Sequence, residues 1–214
     1  MALRLNVDMN EPADRALILA AEVIQAGGVV VYPTDTLYGL GVNAWDSEAA
    51  RRVQAIKRRP EAKPVLVIVH SSGAALAMTD EVTEAGRSLA ASFWPGPLTL
   101  LFRCGTHAPP AVTQGSGKIG VRVPGNRLCL RLSELAGCPV ISTSANISGE
   151  PVPGSVEEIE RALGPGVDLF IDGGVLPPAL PSTIVDVSGP VPLLVREGVI
   201  SYEDLKRVVS HILR

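Results

Sequence analysis

Apolar residues recur along the chain in two patterns that alternate with each other. In the first, apolar residues after Asn10 and Pro12 repeat every three or four positions until Gly27, which predicts an amphipathic helix. Asp46 or Ser47 is placed to cap a second helix, which Pro60 ends. Further helices are predicted around residues 80–92, 126–136 and 155–163, and after the capping box Ser201-x-x-Asp204.

The second pattern consists of short apolar runs rich in β-branched residues, which predict strands. The runs are VVVYP, PVLVIVH, PLTLLF, KIGVRV, CPVISTS, DLFID, STIVDV and PLLV. Strands that alternate with helices are typical of the α/β class. The link between STIVDV and PLLV is too short for a helical crossover, so we expect that pair to be antiparallel and the sheet to be mixed. No stretch has the composition of a linker, which predicts a single domain over residues 1–214.

Composition restricts the kind of partner. The formal net charge of -3 argues against polyanion binding over the whole surface, so an anion site must be local. Three cysteines without a C-x-x-C spacing fit neither a disulfide framework nor a zinc site, and they predict a reducing, cytoplasmic location. The three histidines lie far apart, so no protein-held metal is expected. The longest apolar stretches fall short of the roughly 20 residues of a membrane span, so no membrane partner is expected.

The stretch RRVQAIKRRPEAKPV concentrates positive charge. Six of the nineteen Lys and Arg residues fall within residues 51–63, where Glu61 is the one acid. Cations at a helix C-terminus gain only about 0.3–1 kcal/mol each, which accounts for one or two of them. The remainder favours a binding site for a polyphosphate, since arginine suits bidentate phosphate contacts.

Two polar segments follow predicted strands, where ligands bind in α/β sheets. YPTDTLYGLG, residues 32–41, is predicted as a polar, glycine-rich turn that offers Thr34, Asp35 and Thr36, or as an Asx-type turn. STSANISGEP, residues 142–151, offers hydroxyl and amide groups, or is an ordinary loop. The segment GSGKIG matches a dinucleotide-binding motif, but it leads into a strand and is therefore interpreted as a turn.

Arg122 stands inside the apolar strand GVRVP. An arginine in such a place is either a satisfied core ion pair or a carboxylate clamp that faces a cavity.

The order of these segments resembles the YrdC family of threonylcarbamoyl-AMP synthases. The resemblance is carried by YPTDTLYGLG, IKRRPEAKP, FWPGPLTLLF, GVRVPGN, STSANISGEP, PSTIVDV and VREG, over roughly residues 15–200. It includes the family's K-x-R and S-x-N pair, as Lys57-x-Arg59 and Ser144-x-Asn146. It implies a twisted, mixed sheet flanked by helices around a large basic cavity, in a short form without the C-terminal extra domain of longer relatives.

The resemblance also implies a nucleotidyltransferase. Its substrates would be L-threonine, bicarbonate and ATP, and its products threonylcarbamoyl-AMP and pyrophosphate, the first step in forming N6-threonylcarbamoyladenosine in tRNA. Mg²⁺ would be held mainly by the ATP phosphates. A downstream tRNA threonylcarbamoyl transferase complex would take the product, with tRNA as an indirect partner.

Site residues are carried over by position in the motifs. The threonine site implied by the resemblance consists of Thr36, Arg122, Ser142 and Ser182, with Arg122 on the carboxylate. The ATP site implied by it consists of Lys57, Arg59, Lys63, Lys118, Ser144, Asn146 and Arg196. Lys57 and Arg59 would stabilise the departing pyrophosphate as catalytic residues.

Two alternatives remain from the sequence. The same basic cavity could serve an RNA-binding module, but the net acidity and the lack of aromatic stacking residues near the basic stretch argue against it. The second alternative is a carbamoyl-transfer domain of the hydrogenase-maturation type, which shares K-x-R and S-x-N.

Overall fold

A computed structural model of the chain describes residues 2–58, 66–113 and 117–214, and within them the strands form one mixed sheet. The strands are β1 (Leu3–Asn6), β2 (Val30–Pro33), β3 (Tyr38–Asn43), β4 (Leu66–Ile68), β5 (Leu98–Arg103), β6 (Lys118–Arg122), β7 (Val140–Ser144), β8 (Leu169–Asp172), β9 (Thr183–Asp186) and β10 (Leu193–Arg196). Their order across the sheet is β1-β8-β2-β3-β7-β4-β6-β5-β9-β10. The predicted α/β class and mixed sheet are confirmed.

Strand pairing confirms one prediction and corrects another. β9 and β10 are antiparallel, as their short link required. The segment predicted as a turn at residues 32–41 is instead a hairpin, because Tyr38–Asn43 pairs antiparallel with β2 and with β7. β1 is a further strand that the apolar pattern missed, since it is a short and largely exposed edge.

The helices begin and end close to the predicted positions. They are α1 (Asp14–Gln25), α2 (Ser47–Ile56), α3 (Ser72–Leu76), α4 (Glu84–Phe93), α5 (Pro110–Thr113), α6 (Arg127–Ala136), α7 (Val156–Leu163) and α8 (Tyr202–Val208). Asp46 caps α2, as predicted, and its carboxylate accepts the Glu48 and Ala49 N–H groups. α1 begins two residues after Pro12, and α2 ends at Ile56, ahead of Pro60, which lies outside the described residues. α3 and α5 were not predicted.

The two faces of the sheet are covered unequally. Helices α2, α4, α7 and α8 contribute buried residues to the core on one face, which joins side chains from the middle strands such as Leu100, Val121 and Ile141. On the other face, α1 and α6 pack together over the β8-β2-β3 side, with Leu17 and Leu132 in that smaller core. The two helices leave the rest of this face open.

An irregular strap, residues 173–182, crosses the sheet between β8 and β9. These strands lie second from opposite edges, so in a flat sheet they would stand about 34 Å apart at about 4.8 Å per strand. A fully extended chain from Asp172 to Thr183 reaches only about 36–40 Å. The strap has no helix or strand, and its three prolines favour the extended conformation that the crossing requires.

The side chain of Thr183, at the start of β9, binds the backbone of the segment that follows β10. Its buried hydroxyl accepts the N–H groups of Gly198 and Ile200, each at 3.0 Å, and donates to the Ile200 carbonyl at 2.6 Å. Three backbone groups therefore depend on one side-chain oxygen.

Thr183→Val should lower the free energy of unfolding by about 1–3 kcal/mol, because valine keeps the shape and leaves buried N–H groups without an acceptor. Urea denaturation followed by circular dichroism measures the loss. Thr79→Val is the matched control, since the partly exposed Thr79 hydroxyl bonds a single carbonyl that water can reach. Equal losses in the two variants would contradict the assignment.

Candidate active site

The open part of the sheet face forms the floor of a cavity of about 640 Å³. Paired residues on neighbouring strands point to the same face, and the register pairs Gly39 with Ser144, Ile68 with Arg122, Leu101 with Gly120 and Thr99 with Ile184. All of these residues line the cavity. The floor therefore runs across seven strands, from β3 to β10. The strap forms one wall of the cavity, with Pro178, Ala179 and Pro181.

Six of the predicted site residues line this cavity. They are Thr36, Arg122, Ser142, Ser144, Ser182 and Arg196. The four residues that the resemblance assigned to threonine are thus brought together, although they are up to 146 positions apart in the chain. Among the described lining residues, Arg122 and Arg196 carry positive charge and none is acidic.

Arg122 is held from three sides at the floor of the cavity. Its Nη2 pairs with Asp35 Oδ1 at 2.6 Å, its Nε donates to the Gly96 carbonyl at 3.0 Å, and its Nη1 donates to Thr36 Oγ1 at 3.3 Å. The residue is only 6% exposed. A guanidinium has five N–H donors, so two remain for a ligand after these three bonds. Arg122 therefore combines one feature of each sequence interpretation, since it is ion-paired and also faces the cavity.

Asp35 was noted in the segment of residues 32–41 but was not predicted to belong to the site. Its second oxygen accepts the Gly125 N–H at 3.0 Å, so the carboxylate joins the β2–β3 turn to the segment after β6. Arg122 itself could have predicted a carboxylate such as Asp35 in the site, because a buried charge requires a partner of opposite charge.

Thr34 shapes the turn that presents Thr36. Its hydroxyl oxygen accepts the N–H groups of Thr36 and Leu37, each at 3.1 Å, and donates to the Leu37 carbonyl at 2.6 Å. The turn is therefore closed by a threonine hydroxyl, while Asp35 turns away to meet Arg122.

Ser182 and Arg196 form a second polar group at the β9–β10 end. Arg196 donates to the Ser182 carbonyl at 2.7 Å and to its hydroxyl at 3.2 Å, and the Thr99 hydroxyl lies 3.1 Å from the same oxygen. Burial, together with the positive charge of Arg122, lowers the pKa of Arg196 below its ordinary value, yet a guanidinium stays protonated in proteins. No carboxylate of the described residues lies within 4.0 Å of Arg196, so its charge is uncompensated there.

Lys57, the cap residue of α2, points inward to the loop after β7. Its ammonium donates to the carbonyl groups of Ser144 and Asn146 and, at 3.1 Å, to Asn146 Oδ1, and only 2% of the residue is exposed. The Ser144 hydroxyl donates to the same Oδ1 at 2.6 Å. The K-x-R lysine and the S-x-N loop are therefore in contact, behind the surface that lines the cavity.

The remaining cations of the predicted ATP site lie elsewhere or outside the described residues. Lys118 shares the floor face but lies beyond the lining, where it pairs with Asp186 at 2.6 Å. Arg59 and Lys63 are outside the described residues. Arg51 and Arg52 of the basic stretch pair on the surface with Glu48 and Asp168.

Residues 2–58, 66–113 and 117–214 contain neither a metal-ligand cluster nor a membrane-spanning helix. No group of three or more His, Cys, Asp or Glu residues there is placed to hold a metal ion. No helix in this part of the chain is long and apolar enough to cross a membrane.

Asp172 and Tyr38 anchor the first end of the strap. Asp172 Oδ1 accepts the Gly174 N–H at 2.8 Å, its other oxygen pairs with Arg4, and the Tyr38 hydroxyl donates to the Gly174 carbonyl at 2.7 Å. Burial raises the pKa of Tyr38 to about 12. Burial also favours the neutral form of Asp172, but the Gly174 N–H, Arg4 and Tyr38 outweigh it and hold the pKa of Asp172 below its ordinary 3.8.

A family model for the Sua5, YciO and YrdC proteins, described as "Telomere recombination", matches residues 22–198. The chain belongs to the Sua5/YciO/YrdC family. Threonylcarbamoyl-AMP synthase of Pyrococcus abyssi is 35% identical to it over 91% of this chain and 57% of the relative, and that of Bacillus subtilis is 32% identical over 93% and 58%. This Sua5/YciO/YrdC chain thus spans less than two thirds of the length of either relative.

The fold is also that of a solved family member. The crystal structure of P. abyssi Sua5 complexed with L-threonine superposes with a TM-score of 0.93 at 32% identity, covering 100% of this chain and 63% of that one. The predicted YrdC-like fold is therefore confirmed.

Asp172→Asn should change how stability depends on pH. A carboxyl group whose pKa is lowered by folding contributes stability that is fully present above its unfolded pKa, and this contribution is lost as pH falls through the folded pKa. The stability advantage of the unsubstituted protein over Asp172→Asn should therefore be constant near neutrality and shrink below about pH 4.

Urea denaturation at about pH 6, 4 and 3 measures this difference. A difference that stays the same at the three values would mean that the Asp172 carboxylate is not stabilised in the folded state.

Proposed function

We propose that this chain is a threonylcarbamoyl-AMP synthase, which converts L-threonine, bicarbonate and ATP to threonylcarbamoyl-AMP and pyrophosphate. The observation that supports the proposal most is the single cavity in which Thr36, Arg122, Ser142 and Ser182 meet. The names of the two relatives and the threonine complex of P. abyssi Sua5 support the same reaction. They do not favour an RNA-binding module or a hydrogenase-maturation domain.

The proposed chemistry requires two anions to meet. The threonine amine attacks the bicarbonate carbon and water is lost, which gives a carbamate; a carbamate oxygen then attacks the α-phosphorus of ATP as pyrophosphate leaves. Such a reaction depends on positioning and on compensation of negative charge, more than on a protein nucleophile. Positive charge beside hydroxyl groups is what the lining provides.

In this proposal the two arginines have different tasks. Arg122 is neutralised by Asp35 and fixed in orientation, which suits it to bind the threonine carboxylate with its two remaining N–H donors. Arg196 lacks a described carboxylate partner, and an ATP phosphate would compensate its charge. Ser182 lies between the two and contacts Arg196, so the threonine and ATP sites adjoin there.

The S-x-N loop would receive the phosphates. Ser144 lines the cavity, while Asn146 and Lys57 hold the loop from behind. In this arrangement Lys57 fixes the loop, and its proposed contact with pyrophosphate would require the ammonium to leave one of these acceptors. Arg59, Lys63 and Lys118 complete the proposed ATP site.

Mg²⁺ is proposed to enter with ATP. It would be held mainly by phosphate oxygens and water. When bound, the ion would neutralise charge on the phosphates.

The product proposed here is a mixed anhydride of a carbamic acid and AMP. Such a compound reacts readily with amines, so a transferase must consume it. We assign that step to a tRNA threonylcarbamoyl transferase complex, with tRNA as the final acceptor.

Pyrophosphate release should require ATP, threonine and bicarbonate together. A coupled pyrophosphatase assay with each substrate omitted in turn measures this, and mass spectrometry identifies threonylcarbamoyl-AMP. Pyrophosphate formed from ATP alone would contradict the proposed order of bond formation.

Arg122→Lys should raise the KM for threonine by roughly ten- to a hundredfold and change the KM for ATP much less, because an ammonium cannot replace a planar two-point contact. Steady-state kinetics with each substrate varied in turn gives both constants. Arg87→Lys, on the exposed side of α4, is the matched control. Equal rises in the two KM values would argue against a carboxylate site at Arg122.

A further inference from the structure

Strand β3 carries glycine at two successive positions of the floor face. Gly39 pairs with Tyr32 of β2, and Gly41 pairs with Ser142 of β7, so Tyr32 and Ser142 flank β3 on the same face. A Cβ on Gly41 would lie 2.6 Å from Tyr32 Cε1, and one on Gly39 would lie 3.3 Å from both Tyr32 Cζ and Ser142 Oγ. The Tyr32 ring therefore lies across β3 at Gly39 and Gly41, where β3 has no side chain on this face.

The ring reaches Ser142 with its polar end. The Tyr32 hydroxyl donates to Ser142 Oγ at 2.8 Å, and Tyr32 is fully buried. Burial raises the pKa of this phenol, so the hydroxyl keeps its proton. Ser142 is also part of the cavity lining. One acceptor position of Ser142 is thereby occupied from the side of β2, and the proton of Ser142 is left to point elsewhere.

We infer that Tyr32 is a positioning residue, which fixes the Ser142 hydroxyl so that its O–H points into the cavity at an acceptor atom of the amino-acid substrate. The inference rests on the proposed function for the identity of that substrate. It explains the glycines of YGLG, since any side chain at position 41 would displace the ring.

The test compares Tyr32→Phe with the unsubstituted protein. Loss of the hydroxyl frees the Ser142 rotor, so the KM for threonine should rise roughly five- to tenfold, the effect of about one hydrogen bond. The KM for ATP should change less than about twofold. Tyr202→Phe is the matched control, because it removes a hydroxyl that bonds the Ile212 carbonyl near the C-terminus, outside the cavity lining.

A double-mutant cycle separates positioning from general support of the fold. In a Ser142→Ala background, Tyr32→Phe should have no further effect on the KM for threonine, since there is no hydroxyl left to orient. Effects that add independently, or a Tyr32→Phe protein that fails to fold, would overturn the inference and make the hydroxyl a structural one.

Threonine binding, measured by titration calorimetry, distinguishes failure of the proposed function from failure of the inference on Tyr32. Threonine binding without pyrophosphate release in the unsubstituted protein would reject the proposed function, and the cycle can then still be measured on the binding constants. Absence of threonine binding would reject the inference as well.

Discussion

The candidate site depends on strand register. Alternation along a strand places neighbouring side chains on opposite faces. The seven strands of the floor are aligned so that the polar residues and glycines of the site share one face with a few apolar residues such as Leu101. The intervening residues, such as Leu100, Val121 and Ile141, fill the core on the other face. A slip of one residue in β6 or β7 would bury Arg122 or Ser142 in that apolar core, so folding and site formation are enforced by the same pattern.

Charge within the cavity is organised by pairing. Arg122 would be costly to bury alone, and Asp35 offsets that cost while fixing the plane of the guanidinium. This pairing leaves Arg196 as the described lining group whose charge no described carboxylate offsets. An anion that enters is therefore attracted to the β10 side, whereas the β6 side offers directed hydrogen-bond donors.

Much of the secondary structure followed from local signals. Asp46, Asn126 and Ser155 each cap a helix that the apolar pattern had indicated, and Ser201 caps the helix predicted from its capping box. Besides β1, α3 and α5, the local signals missed β3, because a polar turn followed by glycines is typical of a loop. The space that the glycines leave is filled by Tyr32 of a neighbouring strand. Nothing in the local sequence predicts that contact.

The site was predicted in part, and for a physical reason. Hydroxyl groups and Arg122 were evident as polar residues in or after apolar strands, but the partnership of Arg122 with Asp35 joins positions 87 residues apart. The direction of Lys57 was equally inaccessible, because a lysine at the end of a helix can extend into solvent or, as here, bend towards carbonyl groups. Arg59 and Lys63 lie outside the described residues and stay predictions.

The floor of the cavity and the wall formed by the strap are held in place differently. Its floor is fixed by hydrogen-bonded strands, but one wall is a stretch without helix or strand, in which Val175 is 80% exposed and Leu180 is also exposed. Substitutions in residues 177–180, which are exposed, would meet little packing resistance, whereas Leu176 packs against the core. The upper contour of the cavity, and with it the size of the molecules that it admits, can therefore change while the hydrogen-bonded floor beneath it is kept.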